Sequence, residues 1–277
     1  MSESFHLDDP RGRVLIIAGS DSGGGAGLQA DIKTVTALGG YASNAVTAIT
    51  VQDTLGVHGI HEIPLDIIRA QIKVVLQDIG TDAIKTGMLH SVEIIEAVAE
   101  DISALAPDAA LIVDPVMVAK GGAALLQANA VDAYKRALMP LATLITPNVP
   151  EAEALTGRSI KTLEDQKAAA DALLGLGCDA VLLKGGHIDG ATINDVLATH
   201  EMIEVMSGPR IDTRHTHGTG CTLASAIAAL MAQGAPLRDA VEIARDYVQE
   251  AIRTAPGFGK GHGPLYHAHT LRFEEEN

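Results

Sequence analysis

The stretch VLIIAGSDSGGGAGLQADIKT, residues 14–34, decides the fold class. Its opening VLIIAG (14–19) is an apolar run that reads as a strand. GSDSGGGAG follows, and a helix carrying Asp31 and Lys33 is expected behind it. Glycine takes positive φ without strain and lets a ligand approach the backbone closely. The loop has no GKT or GKS ending and fits G-x-G-x-x-G poorly, so by itself it names no nucleotide.

Outward from this unit the pattern repeats. Strand-like runs occur at AVTAITV (45–51), DAIKTG (82–87), ALIVD (110–114), TLIT (143–146) and AVLLKG (180–185). Between them, PLDIIRAQIKVVLQDI (64–79) places Leu65, Ile68, Ile72, Val75 and Ile79 on one helical face. SVEIIEAVAEDI (91–102), ANAVDAYKRAL (128–138) and LEDQKAAADALLGLG (163–177) read the same way. The strands lack strict in/out alternation, as expected for a sheet covered on both faces. The expectation is an α/β fold: a mainly parallel central sheet with right-handed crossovers and helices on both sides. With no linker, repeat or low-complexity tract, one domain is expected over 13–277, after a flexible N-terminal segment, 1–12.

Composition narrows the function. The 277 residues are 47% hydrophobic, and 20 basic against 35 acidic side chains give a net charge of −15. Nucleic acid and anionic membranes recruit basic patches, so neither is expected as a partner. Cys178 and Cys221 are far apart with no CxxC, which indicates neither a disulfide framework nor a zinc site. The N-terminus has no apolar signal-peptide core, and the apolar run LASAIAALMA (223–232) is too short to span a bilayer. A cytoplasmic location is expected.

Ligands of open α/β sheets bind at the carboxyl ends of the strands. The strand exits carry QDT with Gln52, PVMVAKGG (115–122), PNVPEAEAL (147–155) and GGH (185–187), and HGTGC (217–221) opens the apolar helix. Packing alone does not call for so many glycine, polar and charged residues at one end of a sheet. Gly218, Thr219 and Gly220 open a helix whose N–H groups and dipole favour an anion. Lys184, before Gly185, is a candidate to neutralise phosphates. Nothing resembles a known His or Cys/His metal spacing among His215, His217, His262, His267 and His269.

Taken in order, AGSDSGGGAGLQADIKT, TAITVQDT, IKTGML, VDPVMVAKGG, TPNVPEAEAL, VLLKGGH and HGTGCTLASA resemble the hydroxymethylpyrimidine/phosphomethylpyrimidine kinases of thiamine biosynthesis, in the ribokinase-like superfamily. The resemblance runs from about Arg13 to GHGPLYHAH (261–269). It implies ATP-dependent phosphorylation of an aminopyrimidine alcohol and then of its monophosphate, with Mg²⁺ as cofactor and a homodimer as the common assembly.

The resemblance also implies roles. Gly19, Asp31, Gln52, Met88 and Val116 would form the pyrimidine pocket. Gln52 suits an aminopyrimidine because one amide both donates and accepts, and Met88 offers an adaptable surface to a flat ring. Asn148 and Glu151 resemble the superfamily's N-x-x-E motif, which acts near Mg²⁺ mostly through water, with Asp114 sharing that task. Lys184, Gly185 and Thr219 would meet ATP. Cys221 stands where ribokinase itself has an aspartate. A thiol's pKa is lowered at a helix N-terminus, yet the loose transition state of phosphoryl transfer asks little of a base. Cys221 is therefore expected to orient the hydroxyl, while the GTG amides and Lys184 supply most of the stabilisation. Three alternatives stand beside this: a pyridoxine or pyridoxal kinase of the same superfamily, a non-catalytic sensor of a vitamin precursor, and a dehydrogenase, which would need the dinucleotide fingerprint this chain lacks.

Overall fold

Arg13–Asp21 forms β1, the sheet's central organiser, and its side chains alternate between two cores. Val14, Ile16 and Ala18 pack into one and Leu15 and Ile17 into the other, and all five are fully buried. In this computed structural model residues 12–118, 122, 125–127 and 129–271 are described. Nearly all of the expected flexible segment 1–12, and the middle of PVMVAKGG, lie outside them.

The chain continues through α1 (Gly27–Ala37), β2 (Tyr41–Gln52), β3 (Val57–Glu62), α2 (Leu65–Asp78), β4 (Ala83–Thr86), α3 (Val92–Leu105) and β5 (Ala110–Val113). A short α4 (Val131–Ala133) runs into a π turn (Tyr134–Leu138) and a 3₁₀ turn (Met139–Leu141). Next come β6 (Leu144–Ile145), α5 (Val149–Thr156), α6 (Leu163–Leu174), β7 (Ala180–Leu183), β8 (Thr192–Thr199) and β9 (Ile203–Pro209). Helices α7 (Thr219–Ala232) and α8 (Leu237–Arg253) and a 3₁₀ turn (His267–Thr270) complete the described elements.

One nine-stranded sheet has the order β3-β2-β1-β4-β5-β6-β7-β8-β9. The strands from β2 through β1, β4, β5 and β6 to β7 are parallel, and β3, β8 and β9 add antiparallel edges. Residues of α2, α3, α5 and α6 fill the core on one face; α1, α7 and α8 cover the other. The α/β architecture with a mainly parallel sheet and helices on both faces is as expected.

The differences lie at the edges. Strand β3 is mostly exposed, and β8 and β9 mix polar with apolar residues, so their apolar signal is weak. The helix expected over 128–138 begins as a helix only at Val131, passes into a wider turn over Tyr134–Leu138 and then into a tighter one that contains Pro140. Proline lacks the N–H that would carry the α-helical ladder onward. Helix α7 is buried from Thr222 to Ala229 without a break. Its alanines and serine let it lie against β1, β4 and β5, which holds its N-terminus at the strand ends.

Candidate active site

Two glycine loops meet at the carboxyl end of the sheet. Gly218 caps α7 with φ +83°, and a Cβ there would overlap the carbonyl oxygen of Gly25 in the first loop. Two backbones touch at that point, so no side chain fits between them. Asp21, at the end of β1, accepts N–H bonds from Gly23, Gly25 and Ala26 at 2.8, 3.1 and 2.9 Å. It also meets Nε2 of buried His217 at 2.9 Å. Burial opposes charge on Asp21, but His217 and these N–H groups outweigh it and hold the carboxyl below its ordinary value. His217, one residue before Gly218, thus ties the loops together. It is one of the histidines to which the sequence assigned no role.

The first turn of α7 faces a line of charges. Thr219 spends its N–H and hydroxyl on Thr216 O, and Thr222 N–H closes the first helical bond onto Gly218 O. The geometry of a helix start leaves the N–H groups of Gly220 and Cys221 without an acceptor inside the helix. Lys184 Nζ lies beside Gly220: a Cβ on that residue would stand 3.1 Å from the ammonium and 3.7 Å from Asp114 Oδ2. Lys184 pairs with Asp114 Oδ1 at 3.2 Å, and both side chains are largely buried. Burial works against the lysine's charge; Asp114 and then Glu151 outweigh it, so its pKa is raised.

Asn148 and Glu151 form a capping box at the start of α5. Glu151 N–H donates to Asn148 Oδ1 at 3.0 Å, and Asn148 N–H donates to Glu151 Oε2 at 2.8 Å. Lys184 N–H donates to Pro147 O at 2.9 Å, which brings β7 against this cap. Burial pushes Glu151 up to about 7, with Lys184 pulling it down and Asp114 pushing it up. Among the described residues no group of three or more His, Cys, Asp or Glu side chains is placed to hold a metal ion.

Cys221 is partly exposed as a residue, but burial pushes its thiol up to about 12, against the pull of Lys85 and of the Gly27 N–H. The lowering expected from a helix N-terminus loses to desolvation. The neighbour that the sequence analysis passed over is Lys85. It is fully buried in β4, 2.8 Å from the equally buried Asp31. A lysine inside the apolar run DAIKTG was the available signal, because lysine is almost never fully buried unless paired.

The remaining candidates divide. Gly19, Met88 and Val116 come together: Met88 Sδ is 3.0 Å from where a Cβ on Gly19 would be, and Val116 packs with Ala48, Met88 and Leu125. This is a small apolar wall. Gln52, at the end of β2, is half-buried; its amide meets His217 Nε2 at 3.2 Å and Thr50 Oγ1 at 3.0 Å. Asp31 lies behind the site with both oxygens engaged, by Lys85 and by Ser225 Oγ. The Gly185 N–H is held by Asp195 Oδ1 at 2.9 Å, and a Cβ on Gly185 would overlap Asn194 O, so this glycine serves the β7–β8 packing.

A family model described as phosphomethylpyrimidine kinase matches residues 21–266. The chain is 51% identical over 258 residues to the thiamine biosynthesis bifunctional protein ThiED of Geobacter sulfurreducens, covering 93% of this chain and 52% of that protein. It thus spans about half the length of that relative. It is 48% identical over 256 residues to the hydroxymethylpyrimidine/phosphomethylpyrimidine kinase of Bacillus subtilis, covering 92% of this chain and 94% of the other. In three dimensions it is similar to a pyridoxal kinase from Staphylococcus aureus in complex with pyridoxal, with a TM-score of 0.88, 36% identity and coverage of 95% and 96%.

Proposed function

This chain belongs to the phosphomethylpyrimidine kinase family, and we propose that it transfers the γ-phosphoryl group of ATP to the hydroxymethyl oxygen of 4-amino-5-hydroxymethyl-2-methylpyrimidine and then to the resulting monophosphate. The observation that carries this reading is Lys184 seated over Gly220 at the start of α7. A cation and a helix N-terminus converge there on one small volume, as a migrating phosphoryl group requires.

Each residue has a task in this reading. Gly19, Met88 and Val116 pack against the flat ring, and Gln52 exchanges its contacts with Thr50 and His217 for the ring nitrogen and exocyclic amine. The Gly220 and Cys221 N–H groups and Lys184 receive charge that develops on the transferred group. Gly218 and Thr219 shape that turn, and Asn148 and Gly185 hold α5 and β7 in place beside the nucleotide. Cys221, protonated, orients the acceptor hydroxyl. Asp31 holds its place from behind.

Mg²⁺ fits the donor set: Asp114 and Glu151 are buried carboxylates whose mutual repulsion a divalent cation relieves. Mg²⁺ usually binds through one or two carboxylates plus substrate phosphates and keeps several waters. When bound, it neutralises phosphate charge. The use of ATP supports a cytoplasmic location. Exposed Ile49, Val51 and Ile60 at the β2–β3 edge support a homodimer, which a sedimentation measurement tests.

The deciding experiment is ADP formation with Mg·ATP and hydroxymethylpyrimidine, its monophosphate or pyridoxal as acceptor. Turnover on both pyrimidines is expected, and ADP with none of the three would leave a sensor. The likeness to a pyridoxal-bound kinase favours pyridoxal as a second, poorer acceptor. Pyridoxal preferred over the pyrimidine would reverse that order.

A further inference from the structure

A lysine stands inside the sheet with no contact to solvent. Lys85 occupies β4 between Ile84 and Thr86, fully buried, with Nζ 2.8 Å from Asp31 Oδ2. Asp31, equally buried, accepts at its other oxygen from Ser225 Oγ at 2.7 Å. Three elements are joined at this point: β4, the helix behind the first glycine loop, and the helix behind the second. Ser225 follows Cys221 by four residues, so the two share one face of α7. Room for the ammonium depends on Gly87, where a Cβ would stand 3.0 Å from Nζ. A buried ion pair is a weak source of stability, since apolar residues of similar volume serve as well or better. Stability therefore does not account for Lys85.

We propose that Lys85 is a positioning residue for phosphoryl transfer: its ammonium, anchored by Asp31, holds a fixed positive charge beneath Cys221 and the first turn of α7. The inference rests on the kinase reading above and deepens it. Lys85 acts through its neighbours and not by contact with substrate, because it is sealed from the site. A cation that needs no reorganisation favours both the incoming phosphoryl charge and the acceptor oxygen as it loses its proton. Asp31 and Cys221 have opposite relations to it. Lys85 favours the Cys221 thiolate and Asp31 disfavours it.

The signs give the test. In a Cys178→Ala background, Cys221 is alkylated with iodoacetamide at fixed pH, and steady-state kinetics are run with hydroxymethylpyrimidine and Mg·ATP. Asp31→Asn keeps an acceptor for Ser225 and keeps the lysine, whose charge Asp114 still favours, so alkylation is expected to quicken. Lys85→Met with Asp31→Asn removes both charges without leaving one stranded. Relative to Asp31→Asn its alkylation should slow by about tenfold, one pKa unit of thiolate. Its kcat should fall more than about tenfold from the parent while the pyrimidine KM holds within about threefold, the pattern of lost transition-state stabilisation. Equal alkylation in the two variants, a smaller fall in kcat, or a loss confined to KM overturns the proposal. Should the double variant not fold, Asp31→Asn decides alone, and alkylation no faster than the parent's overturns it. A parent that makes no ADP defeats the kinase reading instead, and the alkylation comparison still judges Lys85.

Discussion

Lys184 Nζ sits 3.1 Å from the point where a side chain on Gly220 would begin, and it pairs there with Asp114 at 3.2 Å. Gly220 is a helical residue without positive φ; the left-handed glycine is Gly218. The absence of a side chain at Gly220 therefore serves the lysine and not the backbone. Gly220→Ala is expected to displace the ammonium by a few tenths of an ångström and to reduce kcat with little change in melting temperature. Lys184→Gln should lower kcat by about 10²–10³-fold, the scale of a lost transition-state donor, with pyrimidine affinity nearly intact. Steady-state kinetics check both. Collapsed pyrimidine binding with normal turnover at saturation would remove Lys184 from the phosphates.

Cys221 holds its proton at neutral pH, since burial pushes the thiol up to about 12. Cys221→Ser keeps a small hydrogen-bonding group, so its kcat should fall by less than about 10²-fold, the lower end of a general base's contribution. The pH–rate profile of the parent should show no thiol limb between pH 7 and 9. A limb there that vanishes in the serine form would make Cys221 the base.

Gln52→Leu preserves size and removes the amide. The polar edge of an aminopyrimidine would then lie unpaired, at a loss of roughly 1–3 kcal/mol in binding. The expected signature is a raised pyrimidine KM with ATP binding unchanged. An unaltered pyrimidine KM would take Gln52 out of the pocket.

Glu151 links folding to pH. Its ordinary value is 4.5, and burial raises it to about 7 in the folded chain. Below pH 4.5 both states carry the proton, and above about 7 neither does. Between those limits only the folded state holds it, so unfolding releases a proton and stability falls as pH rises. Glu151→Gln keeps the capping acceptor and removes the titration. Urea midpoints from pH 5 to 7.5 should therefore show the parent losing stability relative to the glutamine variant. No relative slope, or a rise, would show that Glu151 is ionised throughout.

The parallel centre of the sheet and helices α1, α2, α3, α6 and α7 were legible in the chain because they depend on local order; α8, Leu237–Arg253, was not among the helices expected. A doubly covered strand must be apolar along its length, and a helix packed on one side must repeat its apolar residues at three and four. Gly218, Gly220, Lys184 and Gln52 stood out in the chain as glycine and polar residues at strand exits and a helix start, whereas Gly19 and Met88 were suggested only by the family resemblance, and the structure brings those two together. The exposed β3, the polar β8 and β9, and the broken helix before Pro140 were not, since edges and turns carry little periodic signal.

Tertiary structure alone decided the electrostatics. Asp31 and Lys85 are 54 residues apart, and Asp21 and His217 are 196 apart. Their pairing depends on how β1, β4, α1 and α7 meet, which no local spacing encodes. The same distinction governs Cys221. Its place at a helix N-terminus could be read from the residue order and argued for a lowered pKa, but the depth of that helix start in the packed molecule raised it. Desolvation depends on every neighbour at once, and neighbours are set by the fold.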